Sequence, residues 1–304
     1  MRGVTRRFGS VVALRDATFV VRPGEIVALL GPNGAGKTTA SRIIGGILGP
    51  SEGEAIVDGI SVRQDANAVR ARCGLVTDQP SLYERMTLRA YLAFFARLFD
   101  VAGAKERIQS LARLLLLEDV LDRKLGAFSR GMKQKAAIAR ALIHDPRVLL
   151  LDEPATALDP EMTRTLRDLI FSLRADNRAI LLCTHDLDEA QRIADRVVIL
   201  QRGAIVRTGT PDELRRIGRP RFRLEAEGSL SAAQGAFARA GIGATHETAP
   251  NGTLVFRFET DDFVLSSSPL LRGLLDAGIV VLALVPEQLS LEDAYVSIVR
   301  EARG

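Results

Sequence analysis

Apolar and polar positions follow two different periods along the chain. Arg147 to Leu151, Ala179 to Cys183 and Arg196 to Leu200 are apolar at consecutive positions after any leading Arg, and Glu25 to Leu30 is a similar short run, apolar after its Glu, ending at Gly31. A strand without in–out alternation is buried on both faces, as in a parallel sheet covered by helices. Between these runs the period becomes helical, beginning near Lys37. The strongest helical stretch runs from Thr87 to Leu117, where Leu88, Tyr91, Leu92, Phe95, Leu98, Phe99, Ile108, Leu111 and Leu115 recur. Gly49-Pro50-Ser51 and Asp58-Gly59 are turn signals around a short strand, Glu54 to Val57, and Gly74 to Thr77 is strand-like. Parallel strands linked by helical crossovers predict an α/β domain over residues 1–217.

The pattern changes at Gly218-Arg219-Pro220-Arg221. Beyond it the reading is strand (Phe222 to Glu227), helix (Ala232 to Ala240), strand (Ala244 to Thr248), an Asn251-Gly252 turn and strand (Leu254 to Phe258). Helix (Pro269 to Ala277), strand (Ile279 to Val285) and a final helix (Leu291 to Ala302) follow. Asn-Gly between alternating strands is a strong hairpin signal, and the order βαββαβ predicts a small ferredoxin-like α+β unit over 218–304. This part has one of the three His residues and no glycine-rich phosphate loop.

Composition narrows the class. Hydrophobic residues are 47% and charged residues 26% of 304, which fits a globular chain of about two domains. The longest apolar run, the nine residues Ala277 to Val285, is far short of the roughly 20 a membrane-spanning helix needs. Thr5-Arg6-Arg7-Phe8 has the look of a twin-arginine export signal, but Arg15 and Asp16 interrupt any apolar core after it, so export is not expected. Cys73 and Cys183 match no metal or redox spacing, as in a reduced cytosolic protein. The formal charge of +4 and pI of about 9.4 suit work beside an anionic membrane face as well as nucleic-acid binding. Of 41 basic residues only five are Lys (37, 105, 124, 133 and 135), the rest being Arg. A Lys within a glycine-rich loop of such a chain indicates a position that needs a compact ammonium on a flexible stem.

That loop carries the chemistry. Gly31, Pro32, Asn33, Gly34, Ala35, Gly36, Lys37 and Thr38 form a phosphate loop between a predicted strand and a predicted helix. Glycines let backbone N–H groups converge on phosphate oxygens and the helix presents its positive end. Lys37 reaches the β/γ phosphates and Thr38 ligates Mg²⁺, with Thr39 as a further nucleotide contact. The strand Val148 to Leu151 ends in Asp152-Glu153. Neighbouring strand residues point apart, so Asp152 is expected at the Mg²⁺ and Glu153 is left to deprotonate water.

Three further stretches lie in a fixed order with these: Phe128-Ser129-Arg130-Gly131-Met132-Lys133-Gln134 before a helix, Ala157-Leu158-Asp159 after Glu153, and Thr184-His185-Asp186 after the next strand, while Gln79 follows the Gly74–Thr77 strand. Over about residues 3–217 the chain strongly resembles the ATP-binding cassette (ABC) ATPases, the motor subunits of ABC transporters. The resemblance implies that Phe8 stacks on adenine, that Gln79 senses Mg²⁺ and the attacking water, and that Ser129 and Gly131 bind the γ-phosphate held by a second subunit. It also implies that Asp159 crosses the dimer interface and that His185 contacts the γ-phosphate. Arg130 stands where Gly is usual, Met132 where Gln is common and Ala157 where Gly is common. The first two departures, and Ser290-Leu291-Glu292-Asp293-Ala294-Tyr295, are similar to a subgroup serving bacterial exporters of drugs, polysaccharides and haem. Few residues precede Phe8 where the family has a full first strand, which implies either a late-assigned start codon or a shortened edge strand.

The implied protein is the ATP-hydrolysing subunit of an ABC exporter, on the cytoplasmic face of the cell membrane. It would pair with a transmembrane permease subunit and a second ABC ATPase subunit, in a homodimer or heterodimer, with ATP and Mg²⁺. A helical subdomain is expected over about 80–145. In its segment from Pro80 to Phe99, Tyr91, Phe95 and Phe99 read as core, and Leu82, Tyr83 and Met86 as the groove that receives the permease. The alternative is a soluble ABC ATPase acting on ribosomes or nucleic acid. Those relatives carry two cassettes with a charged linker, or long coiled-coil or zinc insertions; none of these is present, so no nucleic acid is expected.

Overall fold

A computed structural model describes residues 1–79, 81–156, 158–217, 220–260, 263–287 and 289–302. Pro80, Ala157, Gly218 and Arg219, named above, lie outside the described residues. The chain divides into two compact units, Met1–Pro211 and Asp212–Gly304, against the 217/218 junction expected from composition.

The first unit runs β1 (Arg2–Phe8), β2 (Val11–Ala17), β3 (Ile26–Leu30), α1 (Lys37–Ile44), β4 (Glu52–Glu54), β5 (Ile56–Val57), β6 (Ile60–Ser61), α2 (Ala66–Arg72) and β7 (Cys73–Val76). It continues α3 (Leu88–Leu98), α4 (Ala104–Leu114), α5 (Arg130–Leu142), β8 (Val148–Asp152), α6 (Pro160–Ala175), β9 (Ala179–Thr184), α7 (Leu187–Ile193), β10 (Arg196–Gln201) and β11 (Ala204–Gly209), and its last residue starts α8 (Pro211–Arg215). Six strands form one sheet in the order β11-β10-β3-β9-β8-β7, parallel except for the edge strand β11.

The consecutive apolar runs fill both faces of this sheet. Ile26, Leu149, Leu151, Ile180 and Leu182 point to the core beneath the helices α3 to α6. Their neighbours Val27, Leu29, Leu150, Leu181 and Cys183 point to the opposite core with Ala40 and Ile43 of α1. This is the period-2 alternation of a strand, hidden in the sequence because both faces are apolar.

Three sequence expectations are corrected. β1 is the central strand of a second sheet, β2-β1-β4, not a shortened edge. The segment expected as strand from Glu54 to Val57 is split between β4 and β5, which belong to different sheets. The helical stretch Thr87–Leu117 is two helices, because Asp100 (φ 51°) and Gly103 (φ 63°) take left-handed backbone. Thr87 caps α3 by accepting from the Ala90 amide at 3.2 Å.

The second unit comprises β12 (Arg221–Glu227), α9 (Leu230–Arg239), β13 (Ala244–Thr248), β14 (Leu254–Glu259), α10 (Phe263–Asp276), β15 (Val280–Glu287) and α11 (Leu291–Glu301). Its sheet order is β13-β14-β12-β15, all antiparallel, the split-βαβ arrangement of a ferredoxin-like unit. Phe222, Leu224, Phe256 and Phe258 pack with Ala236 and Phe237 of α9 and Leu270 and Leu274 of α10. α10 starts at Phe263, not at Pro269, so the proline sits within the helix. Ser290 and Asp293 form a reciprocal capping box at the start of α11.

Candidate nucleotide site

Because β3, β7, β8 and β9 are parallel and in register, their carboxyl ends open on one crevice. Leu30 lies beside Thr184, Asp152 beside Cys183, and Val76 beside Leu151. Ligands of open α/β sheets bind outside the carboxyl ends, and every chemistry-bearing stretch of the core leaves the sheet there.

The loop from β3 to α1 needs its glycines at two positions for space. A Cβ on Gly31 would lie 2.4 Å from the Leu200 carbonyl oxygen. One on Gly36, at φ 112°, would lie 2.5 Å from that of Ala13. Gly36 is the left-handed N-cap of α1, so the loop turns sharply into the helix and leaves its first N–H groups facing the crevice. Lys37 is buried at 6% exposure. Its Nζ donates to the Gly31 carbonyl at 2.6 Å and to that of Pro32 at 3.4 Å, and lies 3.4 Å from Glu153 Oε1.

The acid pair has a feature the sequence did not reveal: Glu153 has φ 49°. A non-glycine residue in this region is strained and such strain concentrates at functional sites. The Glu153 amide donates to the Cys183 carbonyl at 2.8 Å, which holds the turn. One carboxylate oxygen, Oε2, receives His185 Nδ1 at 2.9 Å and the Thr156 hydroxyl at 3.4 Å, while Oε1 faces Lys37. An ammonium, an imidazole and a hydroxyl thus converge on one carboxylate.

Asp152 is 2% exposed. Burial pushes its pKa up; the Thr38 hydroxyl, hydrogen-bonded to it, opposes this, the charges of Asp78 and Glu153 raise it further, and Lys37 lowers it. Its Oδ1 is buried with no hydrogen-bond partner. An orphaned carboxylate oxygen beside a hydroxyl fits a divalent cation. Among the described residues no group of three or more His, Cys, Asp or Glu could hold a metal alone, so such an ion would also need phosphate oxygens. Asp78 is a residue that motif reading missed; its signal was an acid directly before Gln79 at the strand end.

The remaining predicted residues are placed on loops and caps. Gln79 is exposed, and its backbone carbonyl accepts from the Thr77 hydroxyl at 3.1 Å. Its side chain is not brought to Asp152. Phe8 ends β1 at 45% exposure, with the Arg6 guanidinium 4.6 Å over its ring. Ser129 is the N-cap of α5, accepting from the Met132 amide at 3.3 Å, and Asp159 the N-cap of α6, accepting from that of Met162 at 2.8 Å. A Cβ on Gly131 would meet Leu158 and Met162 only at 3.8 Å, so its small size is not needed for packing within this chain. In the segment after Gln79, Tyr83 is exposed, as are Phe94 and Leu98 on α3, whereas Leu82 and Met86 lie half-buried against the helical core. Each of the last two keeps part of its surface exposed. Tyr91 is fully buried, as expected, and Phe95 and Phe99 pack beside it.

A phosphate loop, an acid pair at the end of a buried parallel strand and a crevice between them define a phosphate-loop NTPase. The family model described as ABC transporter matches residues 14–156. The chain is 39% identical over 207 residues to the ABC transporter ATP-binding protein NatA of Bacillus subtilis, covering 67% of this chain and 84% of that one. It is 38% identical over 214 residues to the Nod factor export ATP-binding protein I of Bradyrhizobium diazoefficiens, covering 70% of each. A solved ATP-binding subunit of an ABC transporter superposes with TM-score 0.67 at 34% identity, covering 71% of this chain and 90% of that one. A dimeric cassette bound to ADP and phosphate after hydrolysis superposes at 0.63, with 27% identity over 69% of this chain and 97% of that one. The chain belongs to the ATP-binding subunits of ABC transporters, and it is an ATPase.

Proposed function

We propose that this chain powers export through a separate permease subunit by closing with a second cassette over two molecules of ATP. The observation that carries the reading is the convergence of Lys37, His185 and Glu153 at the mouth of the phosphate loop. Export is supported by the likeness to relatives named for export.

In this reading Phe8 stacks on the adenine, and Asn33, Gly34, Ala35, Gly36 and Thr39 cradle the phosphates through the loop and the start of α1. Thr38, Asp152 and Gln79 would hold Mg²⁺, which supplies charge neutralisation between the β- and γ-phosphates. Gln79 would have to swing inward from its exposed position. Glu153 accepts the proton of the attacking water, while Lys37 and His185 hold charge on the γ-phosphate. Ser129 and Gly131 cap the γ-phosphate of the partner cassette, and Asp159 lies on the shared interface. Gly131 packs loosely in the isolated chain, and closeness of a ligand to its backbone is a reason for glycine there. Exposed Tyr83, Phe94 and Leu98 would offer an apolar surface to a permease helix, and the subunit would then work at the cytoplasmic face of the membrane. Residues 1–217 form the ABC ATPase domain, with a helical subdomain at about 80–145, and 218–304 an accessory domain.

Glu153→Gln tests this reading. Turnover should fall by about 10²–10⁴-fold, with ATP affinity kept and a nucleotide-bound dimer accumulating on a sizing column. Near-wild-type phosphate release would remove Glu153 as the base.

A further inference from the structure

A cavity of about 280 Å³ lies between the end of α4, one face of α5 and one face of α6. Leu115, Ile138, Leu158, Leu166 and Leu169 make most of its wall. Two polar side chains on adjacent positions of α5 also line it. Gln134 is only 6% exposed, yet its amide nitrogen is buried without a hydrogen-bond partner. Buried polar groups are nearly always satisfied, so an orphaned amide in a cavity wall requires an explanation. Lys135 is half-buried, and burial lowers its pKa with no carboxylate charge opposing the shift. The one acid among the described lining residues, Asp168, is exposed and acts instead on Arg167.

We infer that this cavity is a binding site for an apolar monocarboxylate, such as a medium-chain fatty acid. The chain or ring would fill the leucine-lined volume, and the carboxylate would accept from the Gln134 amide and pair with the Lys135 ammonium. A few convergent polar groups in an apolar cleft are the general form of a small-molecule site, and charge-assisted hydrogen bonds are the strong ones. Gly131, Leu158 and Met162 also line it, so an occupant would set the spacing between the starts of α5 and α6. Its effect on hydrolysis rests on the dimer proposed above; its occupancy does not.

Decanoate titrated into the nucleotide-free full chain by calorimetry should bind saturably and one-to-one. Lys135→Gln should weaken it by about tenfold, and decan-1-ol should bind the wild type at least as weakly as decanoate binds that variant. Ile138→Trp should fill the cavity and abolish binding, with a cooperative melt reporting that it folds. Thr165→Phe on the facing wall serves the same purpose if Ile138→Trp does not fold. Non-saturable uptake, or equal binding by wild type and a folded cavity-filled variant, would overturn the site. Equal affinity for decanoate and decan-1-ol would overturn its assignment to a carboxylate.

Discussion

Asp152 carries a conflict between folding and function in one side chain. Its carboxylate is removed from water, lies near two other acids and leaves one oxygen unpartnered. The raised pKa means that the folded chain holds this proton more tightly than the unfolded chain does. The charge therefore carries no penalty below the ordinary carboxylate range, and the full penalty once pH exceeds the raised value. Asp152→Asn should raise the melting temperature of the nucleotide-free protein at neutral pH by roughly 2–4 °C, equivalent to about 1 kcal/mol for a unit of this size. The gain should vanish as pH falls below about 4, while Mg²⁺-dependent hydrolysis is lost at every pH. A melting series with and without the substitution reads both; an asparagine variant less stable at neutral pH would refute the conflict. The site thus trades stability for a charge held ready for a cation.

Between elements, α6 and α7 are joined by more than apolar packing. Arg167 Nη2 donates to Glu189 Oε2 at 2.6 Å and Nε to Oε1 at 3.4 Å, with Glu189 itself buried. Two turns along the same helix, Arg174 donates to Asp195 Oδ1 at 2.5 Å, and Asp195 Oδ2 accepts from the Ile26 amide at 2.8 Å. α6 begins at Asp159 and α7 just after His185, so these pairs hold the two loops in fixed relation. Removing one member of a buried pair strands the other charge. Arg167→Ala should therefore destabilise the first unit by about 3 kcal/mol, visible as a lower urea midpoint with unchanged slope. Arg167→Met combined with Glu189→Leu should recover most of that loss. If the double variant is no better than the single one, the pair is not what joins these helices.

At the scale of the whole molecule, Ser129 caps its own helix, and among the described residues its side chain has no other hydrogen bond. If the second half of each site comes from another copy, two defects on different chains should compensate. Lys37→Ala and Ser129→Arg should each be nearly inactive alone. Mixed, they should form dimers with one intact site and recover about a quarter of wild-type phosphate release, from random pairing and independent sites. Activity in the mixture equal to the sum of the separate variants would argue against composite sites. Hydrolysis should also rise more than linearly with protein concentration in the dilute range.

The chemistry of this protein was legible from the linear chain because phosphate binding demands particular residues at particular spacings: the loop Gly31–Thr38 and the acid pair at Asp152 sit where the pattern placed them. The buried parallel strands were legible too, since a strand covered on both faces has no polar side to show. What the linear chain could not reveal depended on neighbours distant in sequence. β1 became a central strand because β4 supplied a second edge partner. The helical run broke where Asp100 and Gly103 turn the backbone left-handed, and helical periodicity continues across such a turn unmarked. The left-handed turn at Glu153, the nearness of Asp78 to Asp152 and the partial burial of Leu82 and Met86 were settled only by tertiary structure. Each depends on which atoms meet across the sheet or the helical core, and local pattern carries no record of those meetings.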